Sequence, residues 1–334
     1  MITRIQQTWQ PESWQTCLAK AVRDPDELLH LLGLHRHQLP ELYHGDDFPL
    51  RVPHSFIRRM KHGDPDDPLL RQVLPLQQEQ LHIPGYGRDP VGDLAASDQP
   101  GIIRKYHGRA LLMVTGACPV HCRYCFRRHY PYHEQTLHHG KLQQALVNIA
   151  DDHTVNEIIL SGGDPLMLDN ARLRELSAQL SDIPHVKRLR IHSRLPVVVP
   201  ERLDKGFHDW LDRQSLQIIM VIHSNHPNEI DRQLTARLRD LGRYPVTLLN
   251  QSVLLRGVND DSATLARLSE ALQDAGVLPY YLHLLDKVAG AGHFDVPVER
   301  ARPIYSRLQS LLPGYLVPKL VRETPGLTSK TLII

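Results

Sequence analysis

The chain has 334 residues, 41% of them apolar, enough to bury one large core with a smaller region packed on it. Its 39 basic and 37 acidic residues leave a formal charge of +2, so the basic field that a phosphate backbone requires is missing and a small-molecule substrate is expected instead of nucleic acid. No apolar run reaches the length of a membrane span, and the N-terminus MITRIQQTWQPESWQ lacks a signal-peptide core, so a cytoplasmic location with no membrane attachment is expected.

Residues 1–100 are punctuated by Pro and Asp, with short helical patterns such as DELLHLLGL and DPDDPLLRQVLP and no regular strand pattern. They predict a helical N-terminal region. From residue 109, β-rich apolar runs alternate with amphipathic helical stretches, the pattern of parallel βα units. The predicted strands are RALLMVT (109–115), NEIILS (156–161), VKRLRIH (186–192), QIIMVIHS (217–224), PVTLLNQ (245–251) and LPYYLHLL (278–285). Helices are predicted at KLQQALVNIADD, NARLRELSAQLSD, NEIDRQLTARLRDLG and DSATLARLSEALQDAG, where apolar residues recur every three or four positions. Strand starts lie roughly 30 residues apart, the length of a βαβ repeat. The expected fold class is α/β: a partial (β/α)6 TIM-like barrel over 101–315, with the helical N-terminal region at 1–100 and a short C-terminal segment, 316–334, closing the active site. Six units fall short of a closed eight-stranded barrel.

The loop after the first strand, ACPVHCRYCFRR, carries Cys118, Cys122 and Cys125 as C-x3-C-x2-C. Clustering of this kind points to metal or catalysis, not to a disulfide framework. Three thiolates bind three irons of a four-iron cluster and leave the fourth open, whereas ferredoxins use four cysteines and close every iron. An open iron can chelate S-adenosylmethionine, whose reductive cleavage yields a 5'-deoxyadenosyl radical. The alternatives are a zinc knuckle completed by His121 or His129, against which the C-x3-C spacing speaks, and a non-catalytic iron–sulfur module. Isolated Cys17 reads as a small buried hydrophobe. The histidines gathered between 121 and 139 read mostly as solvated loop residues.

Ser161, Gly162, Gly163 and Asp164 end the second strand, where a glycine pair lets backbone approach a ligand closely. Arg194 follows the third strand, His223 and Gln251 end the next two, and Asp286 follows the sixth. In a parallel barrel these ends converge on one mouth, so a single active site is expected there.

The segments LLMVTGACPVHCRYCFRR, LSGGDPLML, HSNHPNEI, LLNQSVLLRGVND and ETPGLTSK together resemble the lysine 2,3-aminomutase family of radical S-adenosylmethionine enzymes, most of all its short bacterial forms acting in elongation factor P β-lysylation. The resemblance implies a [4Fe-4S] cluster on Cys118, Cys122 and Cys125, with S-adenosylmethionine held by Ser161, Gly162, Gly163, Asp164, His223 and Gln251. It further implies pyridoxal 5'-phosphate as a Schiff base on Lys330, with the phosphate at Lys105 and Arg109. Arg127 would clamp the carboxylate of lysine, a task for a planar guanidinium fork. Asp286 and Glu323 would hold its side-chain ammonium; the family's second acid is usually Asp, so Glu323 is a departure. The implied reaction converts (S)-α-lysine to β-lysine, of (R) configuration in this subgroup. The implied partners are a reductant such as flavodoxin or ferredoxin, and a lysyl-tRNA-synthetase-like ligase that passes β-lysine to elongation factor P. The sequence ends four residues after Lys330, without the family's zinc-binding C-terminal extension, so no structural zinc is expected. A rival reading is a radical enzyme without pyridoxal phosphate, such as a glycyl-radical activase.

Overall fold

The computed structural model describes residues 12–43, 47–97, 99–137 and 139–333. The first eleven residues, read above for their lack of a signal-peptide core, and His138 of the histidine-rich stretch lie outside them.

The N-terminal region consists of short helices, three of them started by Pro or Asp. Asp24 caps Pro25–Leu31, and buried Asp67 caps Pro68–Arg71 by accepting the amides of Leu69 (2.8 Å) and Leu70 (2.9 Å). Leu28, Phe56, Leu69 and Leu70 are fully buried in the same apolar cluster as Leu195, Val197 and Val198 of the barrel. Ser55 Oγ donates to the Val198 carbonyl at 2.5 Å, tying the region to the barrel segment Leu195–Val198.

Among the described residues one sheet has nine strands in sequential order: β1 (Ile102–Ile103), β2 (Arg109–Thr115), β3 (Glu157–Gly162), β4 (Arg188–Ser193), β5 (Gln217–His223), β6 (Val246–Leu254), β7 (Leu278–Leu284), β8 (Lys319–Arg322) and β9 (Thr331–Leu332). Strands β2 to β8 are mutually parallel, while β1 and β9 are antiparallel at the two edges, so the barrel is open. The six predicted strands are all present, and the fifth runs on to Leu254. Sequence reading missed β8, which continues the parallel sheet past residue 315. Four residues, KLVR, are too few to display a period of two, and pairing with β7 alone reveals them.

Four crossover helices begin at an Asp whose side chain accepts an amide three residues on: Asp169 from Arg172, Asp204 from Phe207, Asp231 from Leu234 and Asp261 from Thr264. Along the strands, outward residues such as Leu189, Ile191, Ile218, Met220 and Ile222 are buried beneath these helices. Inward residues of the same strands include Arg190, His192 and His223 and are only half-buried. The apolar core therefore lies outside the sheet, and the interior is lined by polar groups suited to a ligand.

At the mouth, β3 ends against the start of the Cys loop. Gly162 has φ +135°, and a Cβ on it would lie 2.2 Å from the Thr115 carbonyl oxygen; a Cβ on Gly163 would lie 2.3 Å from that of Ala117. Both glycines are thus required by protein backbone, through Gly163 N to Thr115 O (2.7 Å) and Asp164 N to Ala117 O (2.8 Å). Gly163→Ala is expected to cost about 2 kcal/mol or more in guanidinium unfolding, whereas Gly314→Ala, with nothing within 4 Å, should change stability by less than about 0.5 kcal/mol.

Candidate active site

The Cys loop is pinned to the N-terminal region from several sides. Arg123 makes a two-pronged contact with buried Glu79 (2.8 and 2.5 Å), Arg128 reaches the same carboxylate at 2.8 Å, and both guanidiniums pack on the Phe48 ring. The amides of His121 and Arg123 donate to the carbonyls of Arg51 (3.1 Å) and Gln72 (2.9 Å). Cys118, Cys122 and Cys125 are free thiols here. Burial and then the neighbouring thiols push Cys118 well above its ordinary value, and the same causes push Cys125 up to about 11. Only coordination to a cation would make such a group of thiolates favourable.

Among the described residues no three His, Cys, Asp or Glu side chains are gathered tightly enough to ligate a single ion. In a four-iron cluster each of three thiolates binds a different iron. His121 Nδ1 lies 2.7 Å from the Pro49 carbonyl and His129 Nε2 lies 3.1 Å from that of Ala289, so these two are half-buried and engaged by backbone. The donor set fits a cluster of the radical type.

Ser161 Oγ accepts from Arg127 Nη1 at 2.8 Å. Asp164 is buried, and its carboxylate is fully engaged: Oδ1 accepts from Ser193 (2.7 Å) and the Leu166 amide (3.0 Å), Oδ2 from the amides of Arg194 and Leu195 (both 2.8 Å). Its part is to fix the turn after β4. His223 and Gln251 are paired in register and hydrogen-bonded to each other at 2.8 Å. Burial, together with the nearby charges of Arg194 and Arg127, pushes His223 down to about 3, so the ring is neutral.

Two interior histidines escaped sequence reading. His192 on β4 meets the His223 ring edge-on, with centroids 5.9 Å apart, and His283 on β7 is pushed down to about 3 by burial and by Lys330. Among the described residues both leave a buried Nε2 without a hydrogen-bond partner, which suits a polar group bound in the interior.

A chain of ion pairs joins the remaining candidates. Lys330 contacts Glu323; Glu323 accepts from Lys105 at 2.9 Å; Lys105 pairs with Asp93 at 2.5 Å; and Asp93 pairs with Arg127 Nε at 2.6 Å. Asp93 was not singled out from sequence. It is a lone acid in an irregular segment, and only its 2% exposure between two cations marks it. Burial alone would raise Asp93, but Arg127 and Lys105 outweigh it and hold the carboxylate below the usual range; Glu323 is lowered likewise by Lys330 and Lys105 against its burial. The two residues expected at the phosphate are not brought together as a pair. Lys105 is engaged by two carboxylates and the Val91 carbonyl (2.8 Å), whereas Arg109 stands over Tyr106 with a contact of only 3.5 Å to the His107 carbonyl.

Residues 112–211 match the model of the Radical SAM superfamily. The chain is 54% identical to the L-lysine 2,3-aminomutase of Escherichia coli over 96% of its own length and 94% of that protein's. It is 47% identical to the L-lysine 2,3-aminomutase of Haemophilus influenzae over 96% and 95%, and 44% identical to that of Buchnera aphidicola over 96% and 95%. The chain belongs to the lysine 2,3-aminomutase family.

Within this lysine 2,3-aminomutase family fold, Asp286 lies beside the ion-pair chain. Burial and then Glu323 push its carboxyl up to about 7, despite Lys330 and Lys105. A folded-state value above the unfolded one means stability present at low pH and lost as pH rises toward 7. Asp286→Asn is therefore expected to stabilise the ligand-free protein at pH 8, by no more than about 4 kcal/mol, with the gain fading as pH falls from 7 to 4. Urea midpoints of both proteins across that range check it.

Proposed function

We propose that the protein is an L-lysine 2,3-aminomutase that moves the amino group of (S)-α-lysine from C2 to C3, giving (R)-β-lysine. The observation that carries this reading is the ion-pair chain from Lys330 through Glu323, Lys105 and Asp93 to Arg127, which runs from the C-terminal segment to the Cys loop. The near full-length similarity to the bacterial aminomutases supports the same reading.

A [4Fe-4S] cluster, S-adenosylmethionine and pyridoxal 5'-phosphate together supply a 5'-deoxyadenosyl radical and an aldehyde that captures an amine. Cys118, Cys122 and Cys125 hold the cluster, and Ser161, Gly162 and Gly163 shape the adjacent mouth. His223 and Gln251 offer neutral polar groups to the adenosyl side, while Asp164 acts through the loop it fixes. Lys330 would hold the aldehyde group and Arg109 would supply a positive charge for its phosphate, with Lys105 ordering the two acids it pairs with.

Arg127 uses Nε and Nη1 on Asp93 and Ser161, and its Nη2 has no partner among the described residues, which leaves that nitrogen's two N–H groups for the substrate carboxylate. Glu323 sits between Lys330 and Lys105. With Lys330 taken up by the aldehyde group, Glu323 would be free to receive a substrate ammonium alongside Asp286 while still held by Lys105. The extra methylene of Glu323, compared with the family's Asp, lets it span both lysines. The product then goes to elongation factor P through a synthetase-like ligase, and a flavodoxin or ferredoxin reduces the cluster in the cytoplasm. No helix among the described residues is long and apolar enough to cross a membrane.

Reconstituted, reduced protein given S-adenosylmethionine and lysine should form β-lysine, read by chiral chromatography with mass spectrometry. Formation of 5'-deoxyadenosine without β-lysine would exclude lysine as the substrate. Borohydride treatment should leave a pyridoxyl mass on Lys330 that Lys330→Ala lacks. Because a bound ammonium favours ionised Asp286, KM for lysine is expected to rise as pH falls below about 7, and Asp286→Asn should raise KM while flattening that dependence.

A further inference from the structure

Arg194 has no role in the site as drawn so far, yet its guanidinium reaches a cluster cysteine. Its Nη1 donates to Cys122 Sγ at 2.7 Å and also contacts the Tyr124 hydroxyl; its Nη2 donates to Gln72 Oε1 at 2.8 Å and Glu229 Oε2 at 3.2 Å. The side chain is buried against the rings of Phe56 and Tyr124, and its backbone amide is fixed by Asp164 at 2.8 Å. Among the described residues, Cys122 is the one cysteine of the triad whose sulfur receives a hydrogen bond from a charged side chain. Behind the guanidinium, Glu229 is wholly buried, and its other oxygen accepts the amides of Asn225 (2.9 Å) and His226 (3.0 Å).

A cluster that gains an electron gains negative charge. A positive charge and an N–H donor on one of its sulfur ligands stabilise the reduced form and raise the potential at which reduction occurs. A carboxylate behind that cation does the reverse, and burial of both keeps solvent from screening either effect.

We propose that Arg194 tunes the reduction potential of the cluster by holding its charge on the Cys122 sulfur, with Glu229 as the opposing, moderating charge. Arg194 is a positioning residue in this sense: it acts on the electron through Cys122. The inference rests on the aminomutase reading only in requiring that the three cysteines carry the cluster.

The test is a redox titration of the reconstituted full chain, using dithionite with mediators and following the electron paramagnetic resonance signal of the reduced cluster, with iron counted per chain. Arg194→Gln should shift the midpoint to more negative potential and Glu229→Gln to less negative potential. A change that only loosened the loop would not move the two in opposite senses. If Arg194→Gln fails to retain iron, Glu229→Gln alone decides. Unchanged midpoints, or a negative shift in Glu229→Gln, overturn the proposal. A parent chain that takes up no cluster overturns the functional reading as well, and is told apart by its iron count.

Discussion

Asp93 lies almost wholly buried between Arg127 and Lys105, and a carboxylate in that position is tolerable only because both cations are held against it. Each cation is in turn tied outward, Arg127 to Ser161 at the end of β3 and Lys105 to Glu323 beyond β8. Neutralising one buried charge therefore links the irregular segment before the barrel, the Cys loop, the third strand and the C-terminal segment. Asp93, Lys105 and Glu323 each have two opposite charges beside them, so removing one member weakens its neighbours' compensation, and losing Asp93 takes from Arg127 its carboxylate partner.

The same logic explains why the short N-terminal helices matter to a site they do not line. Glu79, Gln72 and the carbonyls of Phe48 and Pro49 come from that region, and they hold Arg123, Arg194 and His121 of the barrel. A loop with three cysteines in eight residues and no regular structure has no internal reason to keep one conformation. Its order is borrowed from buried partners 40 or more residues away, for example Glu79 for Arg123 at a separation of 44.

Much of the barrel was legible in the sequence. Outward strand positions are apolar at every second residue because each strand packs beneath its crossover helix. The cysteine triad was legible from spacing alone. The glycine pair was legible as a close approach, although the backbone it admits is that of Thr115 and Ala117. Lys330 carried no local signal and stood out through family resemblance. Asp93, His192 and His283 carried none either, since each is an ordinary residue type whose importance comes from a neighbour distant in the chain.

The sequence by itself determined the βα repeat and the C-x3-C-x2-C spacing, because those depend on periodicity along the chain, while the family was legible through the resemblance of whole motifs. Tertiary structure alone decided which charges meet: that Lys105 faces two acids, that Asp164 is engaged in its own loop, and that Arg194 reaches Cys122. Pairing between buried groups is set by which strand ends and loops converge at the mouth, and that convergence is absent from the linear order of residues.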